Sequence, residues 1–192
     1  GQCEATARMA YLPWKRSMEK IGSMGIAIPG GRFELIDEKG ELVAAPHVTG
    51  ELRYHGPNVT LGYAQSAADL SRGDERHGVL ETGDMAQVDE DGYYTIVGRK
   101  KRFLKLFGNR VNLDEVERML KVKFPDVECA CAGRDDHLTL FATDEAVLPA
   151  MRSYLADKTG LNPNGFFTCA VEAVPKNEAG KTLYKELEKY DD

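Results

Sequence analysis

The sequence predicts an α+β protein in two parts: a β-barrel-like subdomain over residues 1–100, then a small α+β lid module, a three-stranded sheet with helices, over 101–192. Three observations predict it. Glycine and proline recur at short intervals through the first part, which suits a small barrel or sandwich. After Arg99 apolar residues fall at helical spacing between short strand-like runs. The basic run Gly98-Arg99-Lys100-Lys101 lies where the texture changes and sets the boundary near residue 100.

In the first part, Gly31 to Ile36 reads as a strand ending in the turn Asp37-Glu38-Lys39-Gly40, and Glu51 to Tyr54 as another. Asp89-Glu90-Asp91-Gly92 reads as a hairpin turn feeding the strand Tyr93 to Val97. In the second part, Phe103 to Val111 forms a hairpin around Gly108. Leu113, Val116, Leu120 and Phe124 share one helical face, with Asn112 as N-cap and Glu115 at the capping-box position. Strands are expected at Val127 to Ala132, Leu138 to Ala142 and Thr168 to Val174. Val147, Met151, Tyr154 and Leu155 mark a second helix, and Leu183, Leu187 and Tyr190 a third, the helices lying on one face of the sheet.

The chain has 192 residues, 42% hydrophobic and 29% charged, enough for a real core in a soluble globular protein. A net charge of −6 argues against nucleic-acid or membrane-surface partners, which call for a basic excess. No apolar run approaches the roughly 18–20 residues that span a bilayer. The N-terminus lacks the basic-then-apolar pattern of a signal peptide. Cys3, Cys129, Cys131 and Cys169 lack metal-ligand spacing and are expected as buried free thiols, with a reducing cytoplasm as the default setting.

The candidate site residues come from two stretches. Asp84 follows Thr82-Gly83, where glycine lets a backbone pass close while the carboxylate points into a cleft. Such a carboxylate can accept two hydrogen bonds from vicinal hydroxyls, as a nucleotide ribose offers; an aspartate closing a turn is the plainer alternative. Arg99 adds a planar fork of donors suited to phosphate or ribose oxygens, although a basic run is more often a solvated face. Near the C-terminus, Gly180-Lys181-Thr182 ends like a phosphate-binding P-loop, but Pro175 stands where that loop needs its first glycine.

Taken together, Thr82-Gly83-Asp84, the run Gly98-Arg99-Lys100-Lys101-Arg102-Phe103-Leu104-Lys105-Leu106-Phe107-Gly108-Asn109-Arg110, and Pro175 with Gly180-Lys181 resemble the adenylate-forming superfamily of acyl-CoA synthetases, peptide-synthetase adenylation domains and luciferases. Gly50-Glu51-Leu52, Gly56-Pro57-Asn58-Val59 and Gly62-Tyr63 fit the same resemblance, with Tyr63 expected in the core or the cleft wall. The matches run in order along essentially the whole chain. Gly1-Gln2-Cys3-Glu4 is similar to the middle of that family's YGxTE motif, so the chain is expected to lack an N-terminal portion carrying the phosphate loop and most of the acyl pocket.

The resemblance implies a reaction in two steps. A small-molecule carboxylic acid and ATP, with Mg²⁺, give an acyl-adenylate and pyrophosphate; CoA or a carrier pantetheine then takes the acyl group. It implies Lys181 as the catalytic cation, Asp84 and Arg99 on the ribose and phosphate of ATP or AMP, and Glu4 on Mg²⁺. Cys3 stands at the family's phosphate-contacting threonine, where a thiol is a poorer donor. Lys101 is implied as the hinge of a mobile lid, and Gly108 as the lining of the thiol channel. The expectation is a C-terminal fragment of an AMP-forming acyl-activating ligase, inactive alone and prone to self-association through apolar surface left bare. Alternatives are a non-catalytic nucleotide- or carrier-binding module, and a half-enzyme that needs a separate N-terminal partner.

Overall fold

A computed structural model describes residues 1–190. The chain divides into two compact units, Gly1–Lys100 and Lys101–Asp192. No described helix is long and apolar enough to cross a membrane.

In the first unit, β1 (Ala10–Tyr11) pairs antiparallel with β2 (Ile26–Ala27). Strands β3 (Arg32–Ile36), β4 (Gly50–His55), β5 (Val79–Val88) and β6 (Tyr94–Arg99) then form a four-stranded antiparallel sheet in chain order. Alternation places Leu52 and Tyr54 of β4 inward, beside Phe33, Leu35, Leu80 and Ala86. The Phe33 ring lies 5.2 Å from that of Tyr54 and 5.1 Å from that of Tyr94. The expected turns form as read: the Asp37 carboxylate accepts from the Lys39 and Glu41 amides, and that of Asp89 from the Asp91 and Tyr93 amides.

These turns carry a pH signature. The Glu41 amide holds the Asp37 carboxyl below its ordinary range, and the Gln65 and Ser66 amides do the same for Asp69. A carboxyl whose pKa is lowered by folding contributes stability at neutral pH that is lost as pH falls through the folded value. Stability of the first unit is therefore expected to hold down to about pH 4 and to decline below it. Acid titration followed by circular dichroism checks this. Asp37→Asn should flatten the decline.

In the second unit, β7 (Phe103–Leu106) and β8 (Asn109–Asn112) make a hairpin, and Phe107 and Gly108 form its tip with φ of 50° and 84°. Two positive φ values in a two-residue loop suit the twist of a tight hairpin. Helix α1 (Leu113–Lys123) follows, with the Asn112 side chain accepting from the Asp114 amide. Then come β9 (Cys129–Arg134), β10 (His137–Ala142), α2 (Leu148–Thr159), β11 (Phe166–Ala170) and the short α3 (Tyr184–Leu187). The sheet runs β11-β10-β9, antiparallel between β9 and β10 and parallel between β10 and β11. The parallel pair needs a crossover, which α2 supplies.

Three expectations change. The third strand is Phe166–Ala170, because Phe166 pairs with Leu138 and fills the core, while Val174 leaves the ladder for a separate apolar cluster. Helices cover both faces of the sheet, not one. Cys129, Cys131, Leu138 and Leu140 meet Val116, Leu120, Met151 and Leu155 on one side, while Ala130, Ala132 and Phe141 meet Val174 and Leu187 of α3 on the other. Burial on both faces explains why β9 and β10 read as nearly continuous apolar runs. Finally, Cys129 and Cys131 are buried, but Cys3 is exposed and Cys169 only half-buried.

Candidate functional site

Asp84 is placed by a bulge. Across β4 and β5, Glu51 faces Met85 and Arg53 faces Glu81, so Thr82-Gly83-Asp84 together oppose Leu52. Gly83 carries φ 69°, a left-handed conformation that suits glycine and lets the strand kink. The Thr82 hydroxyl donates to the Leu52 carbonyl at 2.7 Å and accepts from the Asp84 amide at 3.1 Å, which pins the kink. A second irregularity lies between β5 and β6: Asp84 faces Arg99 and Met85 faces Gly98, whereas Ala86 faces Ile96.

The result is a carboxylate out of register with β4 but still paired with β6, with both oxygens aimed at donors. Arg99 reaches Asp84 Oδ1 at 2.7 Å, and Gln2 Nε2 donates to Oδ2 at 2.9 Å. Gln2 Nε2 also lies 3.0 Å from the Thr82 carbonyl oxygen. The N-terminal segment is thereby tied to the bulge. Asn58 holds it from the other end, donating to the Ala5 carbonyl at 2.7 Å and to that of Arg8 at 3.0 Å, while accepting from the Tyr54 hydroxyl.

Glu4 follows one position after the exposed Cys3. Its carboxylate accepts from the Tyr63 hydroxyl at 2.5 Å, and its carbonyl accepts from the Thr60 amide. The Tyr63 bond holds the Glu4 carboxyl below its ordinary range, with smaller help from Arg76 and Arg99. The Arg76 guanidinium stacks 4.6 Å from the Tyr63 ring and donates to Thr60 Oγ1. Tyr63 is 66% exposed, so it is no core residue; it lines an open hollow of about 490 Å³ with Gln2, Glu4, Arg76, Glu81 and Thr82. Sequence reasoning allowed Tyr63 the core or the cleft wall, and it lines the hollow; Gln2 and Arg76 are the participants to which it gave no role.

The basic run splits at the unit boundary, between Lys100 and Lys101. Lys100 Nζ reaches Glu51 at 2.5 Å within the first unit. Lys101 is exposed and, among the described residues, its side chain makes no hydrogen bond or ion pair. Arg102 is buried in the second unit, with its side chain bonded to Asp114, Glu117 and the Cys131 carbonyl.

Gly108 and Lys181 occupy separate hairpins of the second unit. A methyl at Gly108 would meet nothing within 4 Å, so its constraint here is the backbone conformation rather than space. The hairpin is moored by the Asp135 and Asp136 carboxylates, which accept from the Lys105 and Phe107 amides. Arg110 stacks 4.5 Å from the Phe103 ring. Lys181 rides a tight loop closed by a bridge between Lys176 and Thr182. Asn177 organises it: its side chain accepts from the Ala179 and Lys181 amides, and its own amide donates to the Lys181 carbonyl. The Lys181 side chain is left exposed.

Among the described residues, no group of three or more His, Cys, Asp or Glu gathers as a metal cage. A Mg²⁺ held mainly by substrate phosphates needs only one or two protein carboxylates, and Glu4 fits that demand.

The family model described as AMP-binding enzyme matches residues 1–64. The chain is 32% identical over 190 residues to the probable 4-coumarate–CoA ligase 1 of Dictyostelium discoideum, covering 89% of this chain and 33% of that one. It is 32% identical over 205 residues to the 2-succinylbenzoate–CoA ligase of Geobacillus kaustophilus, covering 98% and 40%. It also superposes on the o-succinylbenzoate CoA synthetase of Bacillus subtilis, solved with an acyl-adenylate intermediate. There the TM-score is 0.70 at 25% identity, covering 98% of this chain and 40% of that one. The chain thus spans a third to two-fifths of the length of these relatives.

Proposed function

Because this chain belongs to the adenylate-forming superfamily, we propose that it is the C-terminal part of an AMP-forming acyl-activating ligase. In this reading the first unit is the barrel-like tail of the large domain, the second is the lid, and Lys101 is the hinge. The observation that carries it is the Thr82–Asp84 bulge, which presents a carboxylate beside Arg99 where a ribose diol can be bound.

The first step joins a carboxylate oxygen to the α-phosphorus of ATP and breaks the bond to the β-phosphate, releasing pyrophosphate. Lys181, an exposed cation on an ordered loop, neutralises the charge that the carboxylate and α-phosphate share as that bond forms. Asp84 accepts from the ribose hydroxyls and Arg99 donates to ribose or phosphate oxygens, while Cys3 lies beside the phosphates as a weak donor. Glu4, a carboxylate held in place by the Tyr63 hydroxyl, would hold Mg²⁺, which offsets phosphate charge when bound. In the second step a thiolate from CoA or a carrier pantetheine attacks the acyl carbonyl past the Gly108 hairpin, and AMP leaves.

In this reading the relatives' remaining length supplies the rest of the site, which must position both reactants and exclude water, so the chain alone is inactive. The test is to join it to the N-terminal portion of the Geobacillus ligase and measure ATP–pyrophosphate exchange with 2-succinylbenzoate. Exchange that falls about tenfold or more in Asp84→Ala supports the reading. Exchange indifferent to Asp84 sinks the ribose assignment, and no exchange in the parent sinks the ligase reading. Exchange by the chain without the added portion sinks the claim that it is inactive alone.

Surface composition supports the need for a further portion. Trp14, Met18 and Ile21 are 79%, 83% and 77% exposed within one short stretch. The chain by itself is expected to self-associate in a concentration-dependent manner, measured by sedimentation velocity, and Met18→Lys with Ile21→Lys should reduce it.

A further inference from the structure

We propose that Arg102 is a positioning residue: through Tyr184 it fixes the hairpin that carries Lys181 relative to the first residues of the second unit. The inference rests on the reading of Lys181 as the adenylation cation.

The guanidinium of Arg102 is held on all its edges and on one face. Nε donates to Asp114 Oδ1 at 2.6 Å, one terminal nitrogen to the Cys131 carbonyl at 2.8 Å, and the other to Glu117 Oε1 at 2.5 Å. The Tyr184 ring lies 3.7 Å from the guanidinium carbon. The Tyr184 hydroxyl donates to Glu117 Oε2 at 3.2 Å, and Glu117 Oε1 accepts in addition from the Cys131 amide at 2.9 Å. The side chains of Arg102 and Glu117 are only 9% and 6% exposed.

Burying such a pair is an inefficient route to stability, since well-packed apolar groups of similar volume do as well. What it supplies is a fixed direction. Tyr184 follows Leu183, whose amide closes the Lys181 hairpin by donating to the Pro175 carbonyl at 2.8 Å. The other leg of the hairpin is held by the exposed ion pair of Lys176 with Glu128, a weak tether. Tyr184 is therefore the polar anchor of the hairpin that reaches the interior. Its partner Arg102 sits one residue past Lys101, so the segment at the unit boundary and the Lys181 hairpin share one rigid network.

Two measurements test this. In the 192-residue chain, amide hydrogen exchange at Asn177, Lys181 and Leu183 is expected to quicken about tenfold or more in Arg102→Gln and in Tyr184→Ala, with the β10 amides unchanged. Tyr184→Ala leaves the Arg102–Glu117 pair in place, so it remains informative if Arg102→Gln fails to fold. Arg102→Lys should not restore protection, because an ammonium cannot serve three acceptors and a ring in that geometry. Unchanged exchange in the hairpin of Tyr184→Ala overturns the proposal.

In the joined enzyme, Arg102→Gln should lower ATP–pyrophosphate exchange about tenfold or more while thioester formation from preformed acyl-adenylate stays within about threefold. Equal loss in both half-reactions assigns Arg102 a structural role only and overturns the proposal. If the parent joined enzyme shows no exchange, the ligase reading fails, and the amide exchange data alone decide whether Arg102 holds the hairpin.

Discussion

Lys181→Ala is expected to lower ATP–pyrophosphate exchange in the joined enzyme by about 10²–10³-fold, the usual loss when one preorganised charge donor is removed from a transition state. The loss should appear in kcat more than in KM, because in the proposed role the charge Lys181 meets is largest as the oxygen–phosphorus bond forms. Thioester formation from a preformed adenylate should be nearly unaffected. The fold is not at issue in this variant. The Lys181 side chain is exposed, and its backbone amide keeps the bond to Asn177. An exchange rate within about threefold of the parent would remove Lys181 from the chemistry.

The second large effect is structural. Phe141 is fully buried near the C-terminal end of β10, packed with Ala130 and Ala132 of β9, with Val174, and with Leu187 of α3. Phe141→Ala is expected to destabilise the second unit by about 3–5 kcal/mol, the transfer cost of the ring plus the cavity it leaves. Its small neighbours explain why the value belongs at the high end: two alanines cannot reach across to fill the space. Denaturant unfolding followed through amide exchange of the β9 and β10 backbone measures it. A change below about 1 kcal/mol would mean that the face collapses around the gap.

How much of this was legible depends on how local each signal is. The helix at Leu113–Lys123 follows from spacing within one segment, and so do the turns at Asp37 and Asp89, because capping and amide acceptance act over two to four residues. The bulge at Asp84 did not follow, since it exists only as a mismatch between two strands thirty residues apart in sequence. The same holds for Arg102. As part of a basic run it reads as a solvated charge, and its burial depends on Asp114 and Glu117 meeting it from one face of α1. Tyr63 reads from its residue type as core or cleft wall, and it lines the hollow; its hydroxyl bond to Glu4, 59 residues away in sequence, is what no local signal carries. The second covered face of the sheet was hidden too, because α3 is one turn long and its few apolar residues carry almost no periodicity of their own.

That short cover has a consequence for turnover of the protein. Phe141, Ala130 and Ala132 are shielded on one side by Val174 and Leu187, residues that flank the loop bearing Lys181. The loop is exposed and rich in lysine, the sort of stretch that trypsin-like proteases cut first. A cut after Lys176 would sever the segment that carries both Lys181 and Leu187 and loosen the shield in one event. The damaged chain would bare an apolar sheet face and become sticky. Nicked molecules are therefore expected in aggregates or in the grip of chaperones rather than as persistent soluble species.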